Sequence, residues 1–201
     1  MKTYSLKHRR LQSAAGFTLI ELLVVITIIS VLAGFMFPAA KGVMAKAERS
    51  NAENTAYNLK NAISAYNTEY RKFPVRSGSN DGDTTMYSDH ELMDVLLAAD
   101  NQTQPGGLNP RRISFYSGKK AKRAAGSKYR KGVHLESGGA GELWDPYTEY
   151  YEVTMDTDYN NRVKAPEWDT GESTDIPGTI IVWSNGAKTG DSEIADNIKT
   201  W

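Results

Sequence analysis

The chain predicts an α+β fold in which one long N-terminal helix lies on a small antiparallel sheet. Three patterns point to it. Residues 17–37 form a nearly unbroken apolar run. Ala52, Ala56, Leu59, Ile63, Tyr66 and Tyr70 then recur at alternating spacings of four and three, which puts them on one helix face. Strand-type patterns, rich in Tyr, Val, Ile and Thr, come only later, at 147–155 and 178–184.

The 201 residues, 40% of them hydrophobic, suffice for one globular domain with a modest core plus further elements. Lys and Arg (24) balance Asp and Glu (24), but unevenly along the chain. Lys2, Lys7, Arg9 and Arg10 stand in an acid-free N-terminus, which leaves 20 basic against 24 acidic side chains after residue 16. A mildly acidic body gives no reason to expect nucleic-acid binding, which favours a basic surface. With no cysteine, a disulfide framework, a thiolate nucleophile and a cysteine-based zinc site are excluded. No nucleophile–base arrangement, P-loop or dinucleotide fingerprint is present, and His8, His90 and His134 are scattered, so a non-enzymatic protein is expected.

The run 17–37 reaches roughly 32 Å as a helix, about the thickness of a bilayer's hydrocarbon core. Its basic flank predicts a cytoplasmic N-terminus and translocation of everything after about residue 40. A cleaved secretory signal fits poorly, because the small residues Ala14-Ala15-Gly16 precede the run instead of following it. A plain signal anchor fits length and charge but leaves Glu21, the run's only charge, unexplained in the membrane. Pro38 follows the run and either kinks the helix or marks the membrane exit.

From 43 to 70 the helix turns amphipathic, and Phe73-Pro74 ends it. Residues 76–85 read as a polar loop. Ser88-Asp89-His90-Glu91 follows the capping-box pattern before a short helix carrying Leu92, Val95, Leu96 and Ala99. Asn101 to Pro110 reads as a loop and 112–117 as a short strand. Residues 118–132 hold seven basic side chains and no acid, a solvated loop sooner than an anion-binding patch. Asp156 to Asn161 is expected to turn the strand at 147–155 back onto a partner at 162–165. Asp156, Asp158 and Asn160 imitate the start of an EF-hand loop that lacks its glycine and final glutamate. The segment 178–184 is apolar on both faces, hence a central strand.

The segment from Gly16 to Ile26, GFTLIELLVVI, closely resembles the processing site of type IV pilins and type II secretion pseudopilins. The resemblance implies cleavage between Gly16 and Phe17 by a prepilin peptidase, methylation of the new Phe17 amine, and a filament-assembly role for Glu21 and Pro38. The amine of one subunit would meet the Glu21 carboxylate of its neighbour, removing an isolated buried charge and setting the axial register. The domains then expected are a leader over 1–16, a transmembrane or filament-core helix over 17–40, its amphipathic continuation over 41–74 and a periplasmic head over 75–201.

The helix end at 58–74, the Asp145-Pro146 segment and the tail from Ser184 to Trp201 resemble the G-type major pseudopilins. That implies a pilin-like fold and a calcium-binding C-terminal loop, with Ser184, Asp191 and Asp196 as candidate ligands. Lys188 and Asn197 depart from the family's acidic pattern there. The implied function is a subunit of a type II secretion filament in the bacterial inner membrane and periplasm. Its partners would be further copies, the peptidase, the inner-membrane assembly platform and minor pseudopilins. The alternatives are a type IV pilus subunit and, more weakly, a membrane-anchored binding protein.

Overall fold

The computed structural model describes residues 16–76, 82–166, 174–187 and 197–201, without the side chains of 35–41. The chain divides into two units, one reaching to Met44 and one spanning Ala45–Trp201. The helix α1 (Leu19–Tyr70) contributes to both. It is followed by β1 (Thr84–Tyr87), α2 (His90–Leu97), α3 (Asp100–Thr103), β2 (Lys122–Arg123), β3 (Tyr129–Arg130), β4 (Gly132–Leu135), β5 (Gly141–Trp144), β6 (Glu152–Met155), β7 (Arg162–Lys164), β8 (Asp175–Pro177), β9 (Ile180–Ser184) and β10 (Ile198–Lys199). A long N-terminal helix followed by an antiparallel sheet is the α+β arrangement the sequence predicts.

In the second unit the main sheet runs β1–β6–β9–β10, antiparallel throughout. Its register places Val153 opposite Val182 and Met155 opposite Ile180. These four side chains share one core with Ala52, Ala56, Leu59, Ile63 and Tyr66 of α1. Each fully buried large apolar side chain in that stripe stabilises the head by about 1.5–3 kcal/mol. The alternate residues Ile181 and Trp183 belong to a second cluster with Val163, against which Ile176 and Trp201 pack. Both faces of β9 are thus covered, which is why its sequence is apolar at consecutive positions.

Polar side chains are used to join elements inside this core. The Tyr66 hydroxyl donates to the Leu108 carbonyl (2.7 Å), and burial pushes its pKa up to about 12. Asn109, fully buried, donates to the carbonyls of Val95 and Ile113 and accepts from the Ile113 N–H and the Tyr70 hydroxyl. Lys60 of α1 reaches the carbonyl of Thr200, and the Thr200 hydroxyl accepts the Val182 N–H, so the C-terminus is tied to both helix and sheet.

Several local expectations are corrected. The cap of α2 is Asp89, whose carboxylate accepts the Glu91 N–H, and not Ser88. The Ser88 hydroxyl instead donates to Leu143 and accepts from the Tyr151 N–H, bridging two strand regions. Residues within 101–110 include the single turn of α3. Residues 112–117 form no strand, because the N–H groups of Phe115 and Tyr116 both go to the Leu96 carbonyl at the end of α2. The basic stretch carries the β2–β3 hairpin and two ion pairs, Lys131 with Glu48 and Lys128 with Glu149. The strand expected over 147–155 begins only at Glu152, since Pro146–Thr148 are used in a turn. The segment 162–164 pairs with β8 rather than folding back on β6, whose two edges are taken by β1 and β9. The expected polar loop at 76–85 gives way to β1 at Thr84, and residues 77–81 lie outside the described part.

Candidate functional site

The first unit holds Gly16, Phe17, Glu21 and Pro38, the residues expected to serve in processing and assembly. Gly16 and Phe17 precede α1, and every described side chain from Phe17 to Gly34 is exposed. Phe17 is 76% exposed, Leu19 82% and Ile20 70%, and the exposure continues round the helix through Leu32 at 58%. This segment has no wet face and dry face; it is apolar on all sides. No helix among the described residues is long and apolar enough to cross a membrane, the side chains of 35–37 at the end of the apolar run being undescribed.

Polar groups in this segment are satisfied within it. Thr18 and Glu21 form a capping box: the Thr18 N–H and hydroxyl donate to Glu21 Oε2 (2.9 and 2.8 Å), and the Glu21 N–H reaches the Thr18 hydroxyl (3.3 Å). Thr27 and Ser30 return their hydroxyls to the carbonyls of Leu23 and Ile26, four residues back. The Thr18-x-x-Glu21 spacing is the sequence signal for this cap, although the sequence analysis gave Glu21 only an assembly role. Pro38 lies within the helical span of α1, and its side chain is not described.

The C-terminal candidates divide differently. Asp191 and Asp196, with Lys188, lie outside the described residues. Ser184 is fully buried at the end of β9, and its hydroxyl donates to Asp145 and accepts the Gly186 N–H. Asp145 in turn accepts from the N–H groups of Tyr147 and Glu149 at 2.7 and 2.9 Å. Burial pushes the Asp145 carboxyl up, and the Ser184, Glu149 and Tyr147 hydrogen bonds pull it part of the way back. This pair locks the 145–149 turn to the end of β9, a role that sequence reasoning did not assign to either residue. Trp201 packs edge-on to Trp183 at 6.2 Å between ring centres. Elsewhere the fold brings Asp83 to Asp156 and Asp158, with carboxylate oxygens within 4.8 Å of one another. Asp156 and Asp158 cap their own turn through the N–H groups of Asn160 and Asn161.

Residues 11–37 match the family described as the prokaryotic N-terminal methylation motif. The chain is similar to the fimbrial protein EcpC of Eikenella corrodens, at 41% identity over 64 residues, 32% of this chain and 42% of that protein. It is similar to the type II secretion system core protein G of Vibrio cholerae, at 32% identity over 67 residues, 33% of this chain and 46% of that protein. A type IV major pilin, PilE1 of Neisseria gonorrhoeae, is 39% identical over 64 residues, 32% of this chain and 39% of that protein. Over about a third of its length the chain is similar to type IV pilins and a type II secretion pseudopilin. The matched part spans less than half the length of these pilin and pseudopilin relatives. No solved structure matches the pilin-like chain.

Proposed function

We propose that the chain is a pseudopilin of a type II secretion system. It is made as a precursor, cut between Gly16 and Phe17, methylated on the Phe17 amine and assembled into a periplasmic filament that drives protein export. The observation that carries this reading is the helix segment within the methylation motif, predominantly apolar and exposed on every side from Phe17 to Gly34. A helix of that kind suits only lipid or other helices. Lipid holds it before assembly, as a single inner-membrane span with the basic leader in the cytoplasm and the head in the periplasm. Neighbouring copies hold it afterwards.

Glu21 sharpens the reading. In the uncut chain the Thr18 N–H and hydroxyl donate to one oxygen of its carboxylate, so the precursor satisfies part of that charge within its own helix. Cleavage creates an amine at Phe17, and the Glu21 of an adjacent copy is the carboxylate that pairs with it. The family is structural, and the same role, without catalysis, follows for this chain. The peptidase, the assembly platform and minor pseudopilins are its partners. Calcium belongs to the reading through the tail that carries Asp191 and Asp196. Ser184 would join a calcium ion through the oxygen lone pairs, one of which now accepts the Gly186 N–H, while still donating to Asp145.

A second reading, a type IV pilus subunit, is favoured by the similarity to PilE1 and EcpC. The absence of cysteine weighs against it, since many pilins close a C-terminal loop with a disulfide. The two separate by expression in cells that lack either the major pseudopilin or the major pilin. Sheared filaments in the secretion background are expected, with Glu21→Ala processed normally but at least tenfold poorer in filament. Filaments confined to the pilus background would transfer the chain to the second reading, and an unprocessed chain in both would sink the first.

A further inference from the structure

A groove of about 620 Å³ opens in the head between the polar face of α1 and the basic stretch 118–132. Ligand pockets run from about 300 to 1,000 Å³, so the groove has room for a small molecule and not only for an ion. One wall is the row Asn51, Asn54 and Asn58, spaced three and four residues apart and therefore on one helix face. None of their side-chain amides has a hydrogen-bond partner among the described residues.

The opposite wall is cationic. Lys119, Lys120, Lys122 and Lys131 line it, four of the seven basic side chains of that stretch. Lys131 is paired with Glu48, which also lines the groove. The other three lysines have no carboxylate partner among the described residues. Four ammonium groups against one carboxylate leave an excess of three positive charges. The backbone that presents them is fixed. The Ala121 N–H donates to the Val133 carbonyl (2.7 Å), and the Val133 N–H donates to the Lys119 carbonyl (2.8 Å), so this segment is stitched to β4.

Tyr116, which also lines the groove, points to a ligand. It is only 5% exposed, and its hydroxyl has no hydrogen-bond partner among the described residues. Buried tyrosine hydroxyls normally find one. Gly118 lets the ring lie directly beneath the chain, since a Cβ there would stand 2.8 Å from Tyr116 Cε1 and 3.2 Å from its hydroxyl. Burial pushes the Tyr116 pKa up to about 12, so at neutral pH the hydroxyl keeps its proton. It is a donor without an acceptor, and the groove is the open side from which an acceptor can come.

These groups suit a phosphate that carries hydroxyl groups. Ammonium groups act as point charges toward the tetrahedral oxygens of a phosphate, whereas a planar carboxylate is best met by the fork of an arginine, and no arginine lines the groove. Asparagine amides both donate and accept, as hydroxyl groups require. We propose that the groove binds a polyol phosphate, with its phosphate on Lys119, Lys120, Lys122 and the Tyr116 hydroxyl and its hydroxyls on Asn51, Asn54 and Asn58. A free glycerol or sugar phosphate and the headgroup of phosphatidylglycerol share this chemistry. The site is separate from the C-terminal loop and from the processing residues, and it stands whether or not the chain builds a secretion filament.

The test is calorimetric titration of the full chain in a non-ionic detergent with glycerol phosphate, and in parallel with micelles of the same detergent doped with phosphatidylglycerol. One saturable site per chain is expected. Lys119→Gln combined with Lys120→Gln should weaken binding at least tenfold. Tyr116→Phe and Asn58→Ala should each weaken it at least threefold, and Asn58→Ala should do so with the head as stable as before. Arg123→Gln and Arg130→Gln, in the same basic stretch but off the groove, should leave binding unchanged. Binding of glycerol phosphate identifies a soluble ligand and binding of the doped micelles alone a lipid headgroup, and either upholds the proposal. Binding of neither, inorganic sulfate held as tightly, or a loss in Arg123→Gln as large as in the lysine pair would each overturn it.

Discussion

Asp145 is fully buried, yet its carboxylate accepts from the Tyr147 and Glu149 N–H groups and from the Ser184 hydroxyl. Asp145→Ala leaves three donors without an acceptor and should cost about 3 kcal/mol of head stability in urea unfolding. Asp145→Asn keeps an acceptor oxygen and should cost less. The two proteins should also differ in pH dependence. Burial raises the folded pKa of Asp145 above its unfolded value, so the folded head holds that proton more tightly. The linked stabilisation is complete below about pH 4 and is lost as pH rises through the folded value. The stability of the wild type relative to Asp145→Asn should therefore fall across that window, and a difference that stays flat with pH would count against a raised pKa. Asp83, Glu152 and Asp156 shift in the same direction, with burial as the leading cause in each.

At the scale of elements, the head rests on the stripe of α1 against β6 and β9. Leu59→Ala and Ile63→Ala empty fully buried sites and should each cost about 2–5 kcal/mol, whereas Asn58→Ala on the exposed face should change stability by less than about 0.5 kcal/mol. Gly132, at φ +149°, turns the chain into β4 so closely that a Cβ there would sit 2.2 Å from the Lys119 carbonyl oxygen. Gly132→Ala should lower the melting temperature of the head and loosen the β2–β3 and β4–β5 hairpins, visible as faster amide exchange there. The elements legible in the sequence were those with sustained periodicity: α1, α2 and β9. The strands β1, β4 and β5 are four residues each, and two of them begin at glycine, too little pattern to register. Strand pairing was the least legible feature. The turn at 156–161 looked like a hairpin, but both edges of β6 were already claimed by distant strands. The Ser88 cap failed for a related reason, since Leu143 and Tyr151, distant in sequence, compete for its hydroxyl.

For the whole molecule, the N-terminal segment exposes an apolar surface, which the proposed function covers with lipid or neighbouring copies, while the head carries a closed core of its own. Calcium, if the tail takes it, should raise the melting temperature of the full chain, and EDTA should reverse the rise; a melting temperature indifferent to both would remove calcium from the account. The central claim is the cut between Gly16 and Phe17, because membrane anchoring, the Phe17–Glu21 pairing and filament assembly all follow from it. Intact-mass spectrometry of the chain extracted from membranes, with and without a co-expressed prepilin peptidase, measures it most directly. The account predicts loss of residues 1–16 and gain of one methyl group on Phe17 only when the peptidase is present. A full-length mass in its presence, or a cut after the apolar run instead of before it, would contradict the account.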